Sequence, residues 1–376
     1  METRQYKNTG KEISLLGFGT MRLPLLDPEK QAIDWPAAEK LIDYAYAHGV
    51  NYFDTAYMYH AGESERFIGH ALKKYPRDSY FLASKMPAWM AKDMDGVDRI
   101  FNEQLERCGV NYFDFYLCHS LTRANFEIYN QIDIYGYLAQ KKKEGKIRQL
   151  GFSFHDGPAL LEELLARFEW DFAQLQLNYL DWDVQNSKQL YAMLEAKGLP
   201  CVVMEPVRGG ALATLCPEAV DIFKAAAPDQ SAASWAIRFA ASLPNVMTVL
   251  SGMSDQAQVE DNIQTMTDFQ PLTEADYAVI QQAKTAYQDS RTVPCTGCRY
   301  CMDCPAGVDI PLLLSLYNSY IRAEDKKAFV EAYQAAGPGK QAHNCVSCGI
   351  CASHCPQGIA IPEKIKLVGD LYGQLK

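Results

Sequence analysis

Eight of the chain's 12 cysteines fall between Cys295 and Cys355, and they are spaced as metal ligands are. Cys295, Cys298, Cys301 and Cys304 run C-x2-C-x2-C-x2-C-P, and Cys345, Cys348, Cys351 and Cys355 run C-x2-C-x2-C-x3-C-P. Structural zinc sites draw thiolates in pairs, whereas three closely spaced thiolates plus a remote fourth suit a cubane iron–sulfur cluster. Where two such runs share a domain, the fourth Cys of each ligates the other run's cluster. The spacing therefore predicts one 4Fe-4S cluster on Cys295, Cys298, Cys301 and Cys355, and a second on Cys345, Cys348, Cys351 and Cys304. Two zinc sites, or one cluster with spare thiols, are the alternatives. The first run is one residue short before its last Cys, which bears on cross-ligation by Cys304.

A second set of reactive types precedes the cysteines. Asp54, Lys85, His119, Ser153 and Glu205 each stand at the end of a run rich in β-branched and aromatic residues. Taken singly, each has a plain structural role: a helix cap, a snorkelling lysine, a hydrogen-bonded core histidine. Together they require elements that bring them to one place. The runs 15–21, 51–56, 80–86, 113–119, 147–155, 172–179, 200–206 and 246–252 read as strands, and stretches such as 35–48, 231–242 and 273–288 read as helices between or after them. Eight strand–helix units fit an α/β fold of the (β/α)8 TIM-barrel type better than an open doubly wound sheet, and in such a barrel the strand C-terminal ends carry the chemistry. No G-x-G-x-x-G loop calls for a dinucleotide-binding open sheet.

Asn51-Tyr-Phe-Asp54-Thr-Ala-Tyr-Met-Tyr59, Leu82-Ala-Ser-Lys85 and Phe115-Tyr-Leu-Cys-His119 resemble three segments of the aldo-keto reductase superfamily, and the likeness runs from about residue 12 to 269. Residues 310–322 and 323–336 read as helices between the cysteine runs, so the tail resembles an all-helical ferredoxin module. The whole chain is thus similar to the iron–sulfur-containing branch of that superfamily. The resemblance implies a barrel over residues 1–290, a small all-helical ferredoxin-like domain over 291–376, and a catalytic tetrad of Asp54, Tyr59, Lys85 and His119. Carbonyl reduction needs a hydride at carbon and a proton on the developing alkoxide. On this reading Tyr59 gives the proton, Lys85 lowers its pKa, Asp54 holds Lys85, and a neutral His119 orients the carbonyl.

The resemblance also implies a nicotinamide, NADP or NAD, held by Thr20, Met21, Ser153, Gln174 and Met204. Gly252, Ser254, Gln258 and Asn262 match the segment facing the pyrophosphate and adenosine. Gly252 and Gln258 stand where a Lys and an Arg often grip a 2′-phosphate, so Arg208 is the substitute cation in reach. Phe154, Met204 and Glu205 leave room for a flavin, which would split a hydride pair into the single electrons a cluster passes. Expected partners are a small carbonyl or alcohol and a ferredoxin or flavodoxin. The runner-up is an iron–sulfur electron-transfer protein whose barrel is a scaffold.

The chain has 376 residues, 48% hydrophobic, and Lys+Arg 36 against Asp+Glu 46 gives 36 − 46 = −10. That acidity argues against nucleic acid or an anionic membrane as main partner. No stretch approaches the roughly 20 apolar residues of a membrane span, and the first residues have no apolar signal core, so a cytoplasmic location is expected.

Overall fold

The computed structural model describes residues 1–6, 11–27, 30–184, 186–267, 269–289 and 292–376. The chain divides into two compact units: Met1–Pro206 with Ala236–Leu272, and Val207–Trp235 with Thr273–Lys376. The domain boundary expected at residues 290 and 291 lies outside the described residues.

In the first unit, eight parallel strands close into a barrel. They are β1 (Leu16–Gly19), β2 (Tyr52–Asp54), β3 (Phe81–Met86), β4 (Phe113–Leu121), β5 (Ile147–Phe154), β6 (Phe172–Gln176), β7 (Cys201–Met204) and β8 (Val246–Gly252). Seven lie within the segments expected from sequence. The exception is β4, which runs on to Leu121 through an irregularity after Cys118, where Ser120 takes a left-handed backbone (φ 54). Helices α1 (Trp35–Ala47), α2 (Ser64–Leu72), α3 (Met94–Cys108), α4 (Arg123–Ile132), α5 (Ile134–Lys143) and α6 (Pro158–Arg167) belong to the outer layer. Asp34, Asp93 and Thr122 cap α1, α3 and α4 by accepting from Ala37, Gly96 and Asn125 amides.

A hairpin the sequence did not announce, Thr3–Gln5 with Glu12–Ser14, contributes to the barrel's lower core. Tyr6 and Ile13 join Tyr52, Phe81, Phe115 and Phe172, which stand at or near the strand N-termini, in one buried cluster. The Tyr6 ring meets Phe115 edge-on at 5.4 Å, and its hydroxyl donates to Gln149 and the Asp171 carbonyl. With the N-terminal end of the barrel filled in this way, the C-terminal mouth is left for chemistry. Gly69 on α2 permits a close crossing, because a Cβ there would lie 2.5 Å from the Cys108 carbonyl at the end of α3.

The second unit is helical. Helices Ile310–Ala323 and Lys326–Ala335 lie between the cysteine runs, as expected, and are separated by a left-handed Glu324 (φ 52) and by Asp325, which caps the second. The sequence reading did not single out the last helix, Ile361–Leu375. Its Ile361, Ile365 and Val368 pack with Leu313, Leu314, Tyr317, Phe329 and Tyr333, and Cys301 and Cys351 are part of the same core. Also in this unit, Gly209 (φ 65) sits so close to the Thr296 backbone that a Cβ would lie 2.2 Å from its carbonyl oxygen. Among the described residues no helix is long and apolar enough to cross a membrane.

Candidate active site and cysteine cavities

Register places the first unit's reactive residues at one end of the barrel. Gly252 of β8 pairs with Gly19 of β1, Gly19 with Asp54 of β2, Asp54 with Ala83 of β3, and Lys85 of β3 with Leu117 of β4. Because strand side chains alternate, Lys85 and His119 both face inward at their strand ends. Lys85 Nζ, 1% exposed, donates to Asp54 Oδ1 at 2.5 Å and to the Thr55 carbonyl at 2.8 Å, and lies 3.5 Å from the Tyr59 hydroxyl. The Tyr59 ring meets His119 edge-on at 6.3 Å, and the Trp89 ring lies 5.2 Å from His119 in a tilted arrangement. The four residues singled out by sequence are therefore neighbours.

Burial pulls Lys85 toward the neutral amine and pushes Asp54 up toward the neutral acid; the contact between them opposes both shifts. Tyr59 departs from the expected direction. Burial first, then the Asp54 and Glu205 carboxylates, raise its pKa well above 10, with Arg22 alone among the main neighbours opposing. Burial, reinforced by two carboxylates, sets the direction of the shift. Tyr59 therefore rests as a neutral O–H donor. Arg22 and Glu205 are themselves tied by a 3.0 Å ion pair.

His119 is also held neutral: burial first, then Lys85 and His155, pull its pKa well below 6.5. The unfolded chain binds that proton near pH 6.5 and the folded barrel does not. Stability from this group is thus full above that pH and is lost as pH falls below it, by up to about 1.4 kcal/mol per pH unit. Replacing His119 with Asn should flatten this part of the slope, as read from urea midpoints on either side of pH 6.5.

Sequence reasoning missed the support behind Lys85. Gln104 Nε2 on α3 shares its two N–H bonds among Glu65 Oε1 (2.6 Å), Ser84 Oγ (2.9 Å) and the Lys85 carbonyl (3.0 Å), and its Oε1 accepts from the Tyr116 hydroxyl. Ser84 also donates to Glu65 at 2.6 Å. Glu65, Ser84, Gln104 and Tyr116 are all fully buried, so loss of one partner strands another. Gln104→Leu should cost about 1–3 kcal/mol in denaturant unfolding, more than Gln104→Glu paired with Glu65→Gln, which keeps one carboxylate in the network. Tyr129 was missed as well: its hydroxyl accepts from the His119 amide at 2.7 Å and donates to the Met86 carbonyl. Only spacing in three dimensions joins these residues.

The residues expected around the nicotinamide are distributed along the same strand ends. Ser153 and Gln174 pair across β5 and β6, both are buried, and Gln174 Oε1 has no hydrogen-bond partner among the described residues. Met204 ends β7, where Gln174 Nε2 donates to its sulfur at 3.4 Å. Thr20 and Met21 follow β1 in a short turn; Thr20 is buried, donating to the Asp54 carbonyl and touching Ser64 Oγ at 2.7 Å. Ser254 and Gln258 are exposed just after β8 at Gly252, and Gln258 Oε1 accepts from the Ser254 amide. Asn262 is buried and donates to Ser251. Arg208 belongs to the other unit.

In the second unit none of the eight clustered cysteines is in a disulfide, and they line two cavities. Cys295, Cys298, Cys301 and Cys355 surround the first, walled by Ile310, Leu314, Ile359 and Ile361. Cys304, Cys345, Cys348 and Cys351 surround the second, walled by Val308, Ile310, Ile361 and Ile365. Among the described residues, no three such side chains close on a single point as they would around one bare ion. Burial, then Cys298, Cys295 and Cys355, push the Cys301 thiol up to about 12, and burial, then Cys304, Cys345 and Cys348, raise that of Cys351. Four sulfurs in an apolar cavity, each disfavouring the others' charge, fit a group that carries compensating positive charge.

Residues 15–285 match the model of the Aldo/keto reductase family, and residues 294–360 match that of a 4Fe-4S dicluster domain. L-galactose dehydrogenase of Arabidopsis thaliana is 27% identical over 300 residues, covering 72% of this chain and 90% of that protein. The NADH-specific methylglyoxal reductase of Escherichia coli (strain K12) is 26% identical over 218 residues, 53% of this chain and 65% of that protein. The holo form of aldo-keto reductase AKR11C1 from Bacillus halodurans is 26% identical with a TM-score of 0.61, covering 75% of this chain and 96% of that one. A family match over most of the chain, on a closed eight-stranded parallel barrel, means that this protein belongs to the aldo/keto reductase family and carries a 4Fe-4S domain after its barrel.

Proposed function

We propose that the protein is an NAD(P)-dependent oxidoreductase that interconverts a small carbonyl compound and its alcohol, with two 4Fe-4S clusters linking it to one-electron transfer. The observation that carries the reading is the buried Lys85 ammonium, 2.5 Å from Asp54 and 3.5 Å from the Tyr59 hydroxyl at the C-terminal end of the barrel. A nicotinamide, when bound, supplies or accepts the hydride. Tyr59 donates its phenolic proton to the substrate oxygen during reduction, and Lys85 stabilises the phenolate left behind. Asp54 holds Lys85 in place and balances its charge. His119, neutral, donates to the carbonyl oxygen and stabilises the charge that develops there. In oxidation Tyr59 takes the proton back. Ser153 and Gln174 offer polar groups for the carboxamide, Thr20 backs the tetrad through the Asp54 carbonyl, and Ser254, Gln258 and Asn262 serve the phosphate end. The relative described as NADH-specific, together with Gly252 and Gln258 at the 2′-phosphate positions, favours NADH over NADPH. Initial rates with the two cofactors, on a panel of aldehydes and ketones, test that preference; a strong NADPH preference would overturn it.

The clusters, when bound, supply one-electron transfer. Cys295, Cys298, Cys301 and Cys355 hold one, and Cys304, Cys345, Cys348 and Cys351 the other. Thiolate ligation of this kind suits a reducing cytoplasm, and a ferredoxin or flavodoxin is the class of partner that would exchange single electrons. The dicluster match favours a second reading, in which electron transfer is the whole activity and the barrel is a scaffold or flavin carrier. Flavin content of the anaerobically purified protein, with activity of Tyr59→Phe, separates the two.

A further inference from the structure

The outer layer of the barrel contains a cavity of about 140 Å3 that the tetrad does not use. Its floor is the outward side of β4, Cys118 and Leu121; its walls are Phe126 and Tyr129 of α4, Leu164 of α6, and the rings of Tyr135, Phe168 and Trp170. Cys118, Leu121, Phe126, Tyr129 and Leu164 are buried, whereas Asn130, Asp133 and Arg167 at the mouth are exposed. The mouth is ordered by its own contacts. The Arg167 guanidinium stacks 5.3 Å over Phe126 and 5.0 Å over Phe168, and donates to Asn130 and Glu163. The aromatic wall is likewise fixed, with Tyr135 4.3 Å from Phe168 and the Trp170 indole donating to the Leu164 carbonyl at 3.0 Å.

We propose that this cavity is a binding site for a single aromatic ring bearing one hydrogen-bonding group, a phenol in its simplest form, and that its occupancy is communicated to His119 through Tyr129. The volume is close to the roughly 150 Å3 of an apolar cavity that takes up one benzene ring. The apolar floor suits the ring, and the amide of Asn130 with the carboxylate of Asp133 at the mouth suits a hydroxyl that both donates and accepts. The route to the active site is short. Cys118 faces the cavity and His119, the next residue, faces the barrel interior. The Tyr129 ring lines the cavity, while its hydroxyl joins the His119 amide at 2.7 Å to the Met86 carbonyl, one residue beyond Lys85. A ligand that shifts this ring therefore shifts the junction between the ends of β3 and β4, where two of the tetrad side chains begin.

The experiment needs no turnover, so it stands or falls apart from the proposed reductase activity. Phenol is titrated into the full-length protein by calorimetry, and the histidine ring resonances are followed by NMR, with His119 assigned from His119→Asn. Saturable binding with a Kd on the order of 1 mM is expected for so small a ligand, with a shift of the His119 resonance that saturates in parallel. Cys118→Met and Leu164→Phe fill the cavity from opposite sides, and each should weaken binding by about tenfold or more. Tyr129→Phe keeps the wall but loses the hydroxyl, so phenol should still bind while the His119 shift disappears. Absence of saturable binding, or binding untouched by both filling variants in proteins that melt as wild type does, would overturn the site. Binding that leaves His119 unmoved in wild type would overturn the coupling.

Discussion

Tyr59→Phe should lower kcat/KM for carbonyl reduction by about 10²–10⁴-fold while leaving nicotinamide binding unchanged, because the ring stays and only the transferable proton is lost. The structure gives the reason for the size of the effect. Tyr59 is held as a neutral phenol by burial and by the carboxylates of Asp54 and Glu205, so it is charged with a proton at the working pH. The difficulty lies in losing that proton, and the Lys85 ammonium 3.5 Å away is the group that eases it. Lys85→Met should therefore fall as far as Tyr59→Phe, and the double variant no further, since the two act as one unit. Stopped-flow reduction of an aldehyde with cofactor in excess, beside fluorescence titration of the cofactor, separates the two quantities. Equal losses in kcat/KM and in cofactor affinity would mean that Tyr59 only shapes the pocket.

The second large effect concerns the tail. Cys301→Ser and Cys355→Ser should each lower the iron content from about eight to about four per chain and remove the same EPR signal, although the two residues lie in different cysteine runs. Cys351→Ser and Cys304→Ser should remove the other signal. This crossed pattern follows from the cavities, since each is lined by three thiols of one run and the last thiol of the other. Cys301 and Cys351 are also part of the second unit's hydrophobic core, so metal loss should cost folding there: chelation is expected to lower helicity while the barrel remains. Signals that follow the runs in sequence order, with Cys355 grouped with Cys345, would contradict the assignment, and zinc in place of iron would overturn it altogether.

The eight strands were legible because each is a short apolar run rich in β-branched or aromatic residues, five of them ending in a polar residue, a pattern that survives without knowledge of neighbours. Their ends were less so. β4 extends past its expected end because Ser120 adopts a left-handed conformation and its amide is taken by Ser153 Oγ, a partner on another strand. Asp54, Lys85 and His119 could be read from residue types at strand ends and Tyr59 from the family resemblance, and the four side chains do lie together. The direction of the Tyr59 shift could not, since it is set first by full burial in the closed barrel and then by Asp54 and Glu205, the latter held near by a left-handed backbone (φ 55) and the Arg22 ion pair. Glu65, Gln104 and Tyr129 carry no local signal at all. Their polar atoms look like ordinary helix-surface groups until α2, α3 and α4 are docked on the barrel. The hairpin containing Tyr6 is similar, being too short to show a period.

The most direct test is deuteride transfer. A nicotinamide carrying deuterium at C4 is mixed with the anaerobically prepared, iron-replete protein and a panel of small aldehydes and ketones, and the product alcohol is examined by mass spectrometry. Deuterium on the carbinol carbon with wild type, and its loss with Tyr59→Phe, is the predicted result. Clusters that are intact and reducible, with no deuterium transferred to any carbonyl, would contradict the account and leave the barrel as a scaffold for electron transfer.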